Sequence, residues 1–308
     1  MQSAINPAGD HAAITSTLFE LFLGITGIFF LLVLLFLGWA IWRKDRDGPG
    51  ESGLALAVAG WAGAITIGLF ALTIGSYFAD RGMAFTGKGQ TPLEIKVTGQ
   101  QWWWEVQYQG NLPADRITTA NEIHLPLGQP AHIELVADDV IHSLWIPNLA
   151  GKQDLIPGRR TDLTVLPRQV GRFRAQCAEF CGLQHAHMAL DVIVERPAQF
   201  AAWSARSLQP AQPPRTDEQK RGYAIVMGRQ CSGCHAITGT PAFGTVGPDL
   251  TRVASRATLA AGELPNARAW LERWIADPQA LKPGNRMPRV PLSRDELDAT
   301  VAYLETLK

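Results

Sequence analysis

Two long apolar segments near the N-terminus constrain this 308-residue chain more than any other feature. Residues 21–42 contain no charged side chain, and neither do residues 53–79. Each exceeds the roughly 20 residues that cross a bilayer as a helix. A buried core helix would explain one of them, but two in tandem, edged by tryptophan, tyrosine or charge, favour membrane spans over about residues 21–42 and 54–78.

The surroundings of these segments indicate their orientation. A secretory signal peptide fits the first segment poorly, because His11 and Glu20 precede it where a basic lead-in is expected. The connection at residues 43–47 holds three basic side chains, so the positive-inside rule places it in the cytoplasm. Both termini, and everything after about Asp80, are then expected on the outer face.

A Cys-x-x-Cys-His run at Cys231, Cys234 and His235 is the attachment motif of a covalently bound c-type haem. The thiols add to the haem vinyl groups, and the histidine is placed to ligate the iron. A redox or structural cysteine pair beside an unrelated histidine is the alternative, but the sequence downstream also suits a haem domain. Met287, on a proline-bounded loop, is the predicted second axial ligand; Met227, four residues before the motif on a predicted helix, is interpreted as core.

Charge and cysteine count narrow the remaining possibilities. The formal net charge is zero, so no overall electrostatic attraction to nucleic acid is implied. Two of the four cysteines belong to the haem motif, which leaves Cys177 and Cys181. No cysteine remains for a structural disulfide unless one of these pairs is misinterpreted.

Residues 91–196 consist of short segments in which apolar and polar side chains alternate, punctuated by glycine, proline and asparagine. This pattern predicts the half-buried strands of a β-sandwich. His124 and His132 lie within it and are interpreted as surface or packed histidines rather than ligands. The predicted strands are residues 93–98, 122–125, 132–136, 162–166 and 191–195, with a further strand-like segment at 172–176.

The last third of the chain is predicted to be helical. A proline-rich linker at residues 204–215 is expected to form a semi-extended spacer ahead of it. Helix N-termini are indicated by the capping boxes Thr216-x-x-Gln219 and Ser293-x-x-Glu296, and by Asn266 as the cap of a helix over residues 267–276.

A second cluster of metal-binding side chains lies between these parts. Soft thiolate, thioether and imidazole ligands suit copper, and two cysteines four residues apart can bridge a pair of copper ions. A zinc site and a Cys177–Cys181 disulfide are the alternatives. Zinc gains nothing from a methionine and a disulfide needs no histidines, so the sequence favours copper. The cluster comprises Cys177, Cys181, His185, His187 and Met188, with His142 at an upstream strand edge.

His142 followed by Cys177-x3-Cys181-x3-His185-x2-Met188 resembles the binuclear CuA site of cytochrome c oxidase subunit II. The tryptophan-rich residues 101–105 and the two apolar spans are similar to that family, and the C-terminal haem motif resembles its caa-type variety, which carries a fused cytochrome c. The resemblance covers essentially the whole chain. It implies a two-helix transmembrane hairpin, a cupredoxin-like Greek-key β-sandwich and an all-α cytochrome c domain. The expected divisions are residues 1–90, 91–203, the linker 204–215, and 216–308.

The same resemblance implies a role for individual residues. Glu179 contributes its backbone carbonyl to one copper, and its side chain contacts a magnesium ion at the boundary with subunit I. Trp102 matches the family tryptophan near the electron-entry face, although three adjacent tryptophans could equally serve packing. His187 is a neighbour of the site rather than a ligand. The copper ligands through side chains are His142, Cys177, Cys181, His185 and Met188.

The function implied by the resemblance is electron transfer in a respiratory haem-copper oxidase. Electrons would pass from cytochrome c, or another membrane donor, through haem c and CuA to subunit I, where oxygen is reduced to water with proton pumping. The protein would lie in a bacterial plasma membrane, among lipid and other oxidase subunits, with its metal domains outside. The alternatives are the CuA subunit of another terminal reductase, such as a nitric oxide reductase, and a copper-handling or redox-sensing membrane protein.

Overall fold

The computed structural model describes residues 2–43, 51–84, 86–110, 115–228 and 230–308. Two long helices come first, α1 (Asp10–Trp42) and α2 (Glu51–Ala84). They pack antiparallel, with the rings of Phe29 and Trp61 6.2 Å apart, and most of their apolar side chains are exposed. Both are long and apolar enough to cross a membrane, and the two predicted spans lie within them. The basic side chains predicted to face the cytoplasm lie, apart from Arg43, outside the described residues.

The segment before α1 attaches this hairpin to the rest of the protein. The Ala8 N–H donates to the Asn148 carbonyl at 2.6 Å, and the Arg168 guanidinium pairs with the Asp10 carboxylate at the start of the helix. At the same end of the hairpin, the His11 imidazole lies 3.2 Å from the Met83 carbonyl. The membrane helices are therefore joined to the sandwich by hydrogen bonds as well as by the chain.

Residues 93–195 form two five-stranded sheets packed face to face over one apolar core. One sheet has the order β3-β2-β1-β5-β8 and the other β4-β10-β9-β6-β7. The strands are β1 (Leu93–Gln100), β2 (Trp103–Tyr108), β3 (Ile117–Ala120), β4 (Glu122–Pro126), β5 (Ala131–Ala137), β6 (His142–Trp145), β7 (Lys152–Leu155), β8 (Thr161–Val165), β9 (Gly171–Cys177) and β10 (Ala189–Glu195).

All five strands predicted from alternation are present, together with the segment 172–176 in β9, and the predicted β-sandwich is confirmed. In β5 every second residue is buried, as the pattern requires. The strands that alternation did not predict are β2, β3, β6 and β7. In β6 three successive residues are buried, so a period of two cannot reveal it.

The C-terminal domain is mainly helical and has its own apolar core. The helix Asp217–Gly228 and the last helix pack so closely that a Cβ atom at Gly222 would lie 1.9 Å from the Ala299 carbonyl oxygen. A helix α3 (Pro197–Ser207) precedes the domain and packs on the sandwich. The elements of the domain are α4 (Asp217–Gly228), α5 (Cys231–Cys234), β11 (Thr258–Leu259), β12 (Leu264–Pro265), α6 (Arg268–Ala276), α7 (Pro278–Leu281) and α8 (Arg294–Leu304).

Two local predictions about this region need correction. Residues 204–207 are the last turn of α3 and not linker, and the Arg252 guanidinium binds the carbonyl of Gln209, so the proline-rich segment lies against the C-terminal domain. Asn266 is not the cap of α6, because its side-chain amide donates to the carbonyls of Val253 and Arg256, each at 2.7 Å. Both predicted capping boxes are confirmed.

His124 is a packed histidine. Its Nδ1 lies 3.0 Å from the Glu195 carboxylate, its Nε2 lies 3.8 Å from Glu122, and its ring stacks on Trp203 at 4.1 Å. Burial by itself lowers the pKa of His124, but the two carboxylates outweigh burial and raise it above the ordinary value. The imidazolium form is therefore favoured by folding.

We expect His124→Gln to destabilise the sandwich in a pH-dependent way. A raised pKa stabilises the folded state fully below the ordinary histidine pKa of about 6.5, and this contribution is lost as the pH rises through the folded-state value. The variant should therefore lower the unfolding temperature more at about pH 6 than at about pH 9. His132→Gln, at an exposed position on the same sandwich, is the control. Equal losses at both pH values would contradict the expectation.

Candidate copper and haem centres

Two thiols lie at the centre of the first cluster. The Sγ atoms of Cys177 and Cys181 are 3.8 Å apart and both residues are buried, and neither cysteine is in a disulfide. The His142 Nδ1 lies 3.9 Å from the Cys177 Sγ, and the His185 Nδ1 lies 3.7 Å from the Cys181 Sγ. Each thiol therefore has its own imidazole.

Weaker donors complete the cluster. The Met188 Sδ lies 3.9 Å from the Cys181 Sγ, and the Glu179 carbonyl oxygen lies 3.2 Å from the Cys177 Sγ. Met188 is fully buried, whereas His187 is exposed and hydrogen-bonds the Gln184 side chain at 2.8 Å. Six predicted donor groups thus lie together, and His187 lies outside the group.

Strand pairing brings these donors together. Strand β9 ends at Cys177 and β6 begins at His142, and the two strands pair with Leu144 opposite Cys177. A short 3-10 turn over His185–His187 brings the chain back to the end of β9. There the Cys177 N–H donates to the Met188 carbonyl at 2.8 Å. The site is therefore held at the end of a sheet whose strands are fixed by their ladders.

The two thiols differ in pKa. Contact between the thiols lowers the pKa of Cys177 below that of an ordinary thiol, and the same contact together with burial raises the pKa of Cys181. Thiolate is the form that binds metal. Behind the site, the Asp139 carboxylate accepts from the His142 Nε2 at 2.9 Å, which orients the imidazole with Nδ1 toward the sulfur atoms.

The second centre is a largely apolar cavity in the C-terminal domain that encloses about 1480 Å³, its open mouth included. Cys231, Cys234 and His235 line it, and so does Met287. Met227 packs against the domain core instead. A planar apolar group attached at the cysteines would fit between the histidine and a methionine, so the residues present suit a c-type haem.

The orientation of His235 also suits iron binding. Its Nδ1 donates to the Pro248 carbonyl at 2.6 Å, which leaves Nε2 free for a metal. Burial lowers the pKa of His235, so the neutral imidazole is favoured. A Cβ atom at Gly247 would lie 2.6 Å from the ring, so the loop can pass this close only as glycine.

The two centres meet at one boundary. The Trp102 indole N–H donates to the Cys181 carbonyl at 3.0 Å, and the Gln101 amide donates to the same oxygen at 2.7 Å. Both residues, with Trp103 and Asn121 of the sandwich, also line the cavity of the C-terminal domain. The sequence did not reveal that one domain completes the pocket of the other, because no local pattern signals a contact between domains.

The fold and the two donor clusters define a class of protein in which a metal-binding β-sandwich joins a c-type cytochrome domain behind a hydrophobic helical hairpin. Residues 109–196 match the family described as cytochrome C oxidase subunit II, periplasmic domain, and residues 219–308 match the cytochrome c family. The two matches follow one another along the chain, in the order of a subunit II periplasmic domain joined to a cytochrome c. The expected resemblance and fold class are confirmed, and the apolar helices with a periplasmic-type domain fit a bacterial membrane protein.

The chain is similar to several known proteins. Cytochrome c oxidase subunit 2 of Alkalihalophilus pseudofirmus is 36% identical over 71% of this chain and 63% of its own length. The protein of the same name from Bacillus sp. strain PS3 is 31% identical over 72% of this chain and 64% of its own length. The periplasmic domain of subunit II of cytochrome oxidase from Bradyrhizobium japonicum is 28% identical, with a TM-score of 0.35, over 37% of this chain and 92% of that one. The chain thus spans a little under two thirds of the two full-length relatives.

We expect Gly247→Ala to disturb the proposed axial histidine. The new methyl group would overlap the His235 ring, and overpacking of this kind costs about 1–3 kcal/mol. Haem content and the absorption spectrum of the low-spin haem should both change. Gly233→Ala, inside the attachment motif but with open space around its Cβ, is the matched control. A normal haem content and spectrum in Gly247→Ala would contradict the expectation.

Proposed function

We propose that this chain is the electron-transfer subunit of a respiratory haem-copper oxidase. When bound, a haem c and a CuA pair supply one-electron redox chemistry, carrying electrons from cytochrome c or another upstream donor toward subunit I, where oxygen is reduced to water with proton pumping. The proposed divisions are a membrane hairpin in residues 1–90, a CuA domain in 91–207 that includes helix α3, a linker in 208–215 and a cytochrome domain in 216–308.

The arrangement of donors supports a pair of copper ions over a single zinc. The ligand atoms of His142, Cys177 and Cys181 all lie within 4.8 Å of one another. His185, although it lies beside Cys181, is not within this distance of all three. The four ligands of one tetrahedral ion lie about 2.0–2.3 Å from it and therefore within about 4 Å of each other. Two thiols between two separated imidazoles suit a bridged pair instead, with Met188 and the Glu179 carbonyl as weak axial donors.

The chain's own residues prepare the haem site. We propose that Cys231 and Cys234 hold the haem covalently, that His235 is one axial ligand and that Met287 is the other. The Pro248 carbonyl fixes the histidine ring, and the Asn285 side chain accepts from the Met287 N–H at 2.8 Å, which orders the methionine loop. A histidine–methionine ligand pair raises the haem potential, as suits a centre that receives electrons from cytochrome c.

One observation carries the proposal: an aromatic residue, Trp102, contacts both sites, as does its neighbour Gln101. Its indole N–H donates to the carbonyl of the proposed copper ligand Cys181, and Trp102 also lines the cavity that Met287 and His235 line. Contact between the sites through one aromatic residue is what a relay needs. A copper-delivery protein would instead keep its site exposed and its ligands labile, whereas Cys177, Cys181 and Met188 are buried.

The loop between the cysteines offers a surface for subunit I. Phe180 is 76% exposed and Leu183 is 71% exposed, and exposed apolar side chains of this size suit burial by a protein partner. We propose that this loop faces subunit I, that the half-buried Glu179 side chain binds a magnesium ion there, and that both domains lie on the outer face of a bacterial plasma membrane.

The first test is the metal and haem content of the purified full chain, with optical and EPR spectra before and after reduction. We expect a pair of copper ions that share one unpaired electron, and one low-spin haem per chain. A single copper, zinc, or copper lost to a mild chelator would contradict the relay. Oxygen rather than nitric oxide consumption by the assembled complex distinguishes the oxidase from a nitric oxide reductase.

We further expect Trp102→Phe to slow electron transfer from haem to copper severalfold, because the substitution removes the N–H donor to Cys181 while keeping an aromatic ring. The measurement is the rate after rapid photoreduction of the haem. Trp270→Phe, on α6 of the C-terminal domain, is the control, and copper and haem content should be unchanged in both variants. An unaltered rate in Trp102→Phe would remove this residue from the path.

A further inference from the structure

Lys282 is a lysine in an unusual environment. It is only 2% exposed, and its Nζ donates to three backbone carbonyls: Trp102 at 3.0 Å, His187 at 2.7 Å and Ala260 at 2.8 Å. A lysine ammonium group has three donors and no acceptor, so the three carbonyls match its full hydrogen-bonding capacity. Burial lowers the pKa of Lys282 to about 8, which leaves the ammonium form dominant at neutral pH.

The three carbonyls belong to both domains. Trp102 lies in the turn between β1 and β2, and His187 lies in the 3-10 turn that precedes Met188; both are in the sandwich. Ala260 lies between β11 and β12 of the C-terminal domain, with a positive φ of 53°. Lys282 itself follows α7 in the C-terminal domain, so its ammonium group joins the two domains across their boundary.

The rest of the loop from Lys282 to Met287 contacts the sandwich at further points. The Gln184 side chain donates to the Pro283 carbonyl at 2.7 Å. The Arg286 guanidinium donates at 3.0 Å to the Asp139 carboxylate, the same group that accepts from His142. The loop that carries the proposed methionine ligand therefore lies directly on the segments that carry the proposed copper ligands.

Contacts elsewhere on the boundary agree with a fixed arrangement. The Ala189 N–H donates to the Ala261 carbonyl at 2.9 Å, at the start of β10. The Arg174 guanidinium donates to the Gly262 carbonyl at 3.1 Å, and the Thr258 hydroxyl donates to the Asp191 carboxylate at 3.1 Å. These bonds all need the β11–β12 region to stay against β9 and β10.

We propose that Lys282 is a positioning residue that clamps the methionine loop onto the copper-ligand loops, so that the cytochrome domain is fixed on the sandwich and does not move as a tethered shuttle. The expected effect of this clamp on electron transfer rests on the proposed function, whereas the clamp itself concerns only how the two domains dock. Removal of the ammonium group leaves three buried carbonyls without their donor, and each unsatisfied group weakens the docked state severalfold or more.

The test is Lys282→Met in the full-length chain at neutral pH, with Lys220→Met as the control. Lys220 is an exposed lysine of the same domain that pairs with Asp217 on its own helix. Amide hydrogen exchange followed by mass spectrometry reports on docking. We expect at least about tenfold faster exchange in Lys282→Met, both at residues 281–288 and at residues 184–190 of the sandwich, with no change in Lys220→Met.

Faster exchange confined to residues 281–288 would overturn the clamp, because it would show a role within the cytochrome domain alone. Unchanged exchange in both segments would overturn it as well. If Lys282→Met does not accumulate, Lys282→Arg provides the same test: it keeps the charge, but a planar guanidinium cannot point at three carbonyls arranged around a compact ammonium group. Faster exchange on both sides of the boundary is expected there too, and wild-type exchange would overturn the proposal.

A second measurement separates this proposal from the function on which it rests. In Lys282→Met, electron transfer from haem to copper should slow and become sensitive to solvent viscosity, with haem and copper content unchanged. Wild-type rates with wild-type viscosity dependence would overturn the positioning role. If the wild-type chain lacks the copper pair or the haem, the proposed function fails, whereas the exchange comparison still decides whether Lys282 holds the two domains together.

Discussion

The pairing of β9 with β6 is the constraint on which the copper-site geometry depends. It places His142 and Cys177 side by side although 35 residues separate them in sequence. Because β9 also pairs with β10, the chain returns to the same place, and Met188 arrives beside Cys181. A shift of one residue in either ladder would turn Cys177 to the opposite face of the sheet and separate the donors. The sheet register thus places His142 and Cys177, and the loop between β9 and β10 supplies the other four donors, Glu179, Cys181, His185 and Met188.

The proposed haem cavity is completed by residues of the sandwich domain. The cavity in the C-terminal domain is closed by Gln101, Trp102, Trp103 and Asn121 of the sandwich, and both Gln101 and Trp102 also hydrogen-bond the Cys181 carbonyl. The Met287 loop rests on the same surface. A pocket with one wall from a neighbouring domain is whole only while the domains are docked, which favours a permanent contact over a transient one.

Signals that are local in sequence predicted much of this molecule. The haem motif, the spacing from Cys177 to Met188, the capping boxes and the alternating strands each depend on residues a few positions apart. Features that depend on distant contacts were not predictable. Asn266 has the sequence context of a helix cap, yet its amide is taken by carbonyls of a preceding turn. Lys282 resembles any surface lysine in sequence, and only the meeting of three separate segments buries it.

The boundary between the domains contains buried charged side chains, which restrict how the domains can be oriented. The Arg256 guanidinium donates to the Asp249 carbonyl at 2.6 Å, one residue after the carbonyl that orients His235, and lies 3.9 Å from the Glu122 carboxylate of the sandwich. The interactions of a buried charge offset the free energy of its desolvation only when the geometry is good. Such charges therefore fix the relative orientation of the domains more than they stabilise the contact. Two apolar surfaces could slide over each other at small cost, whereas Arg256 and Lys282 cannot move without losing partners. Supporting groups of this kind hold functional atoms within a fraction of an ångström, and here they hold two centres at a constant separation.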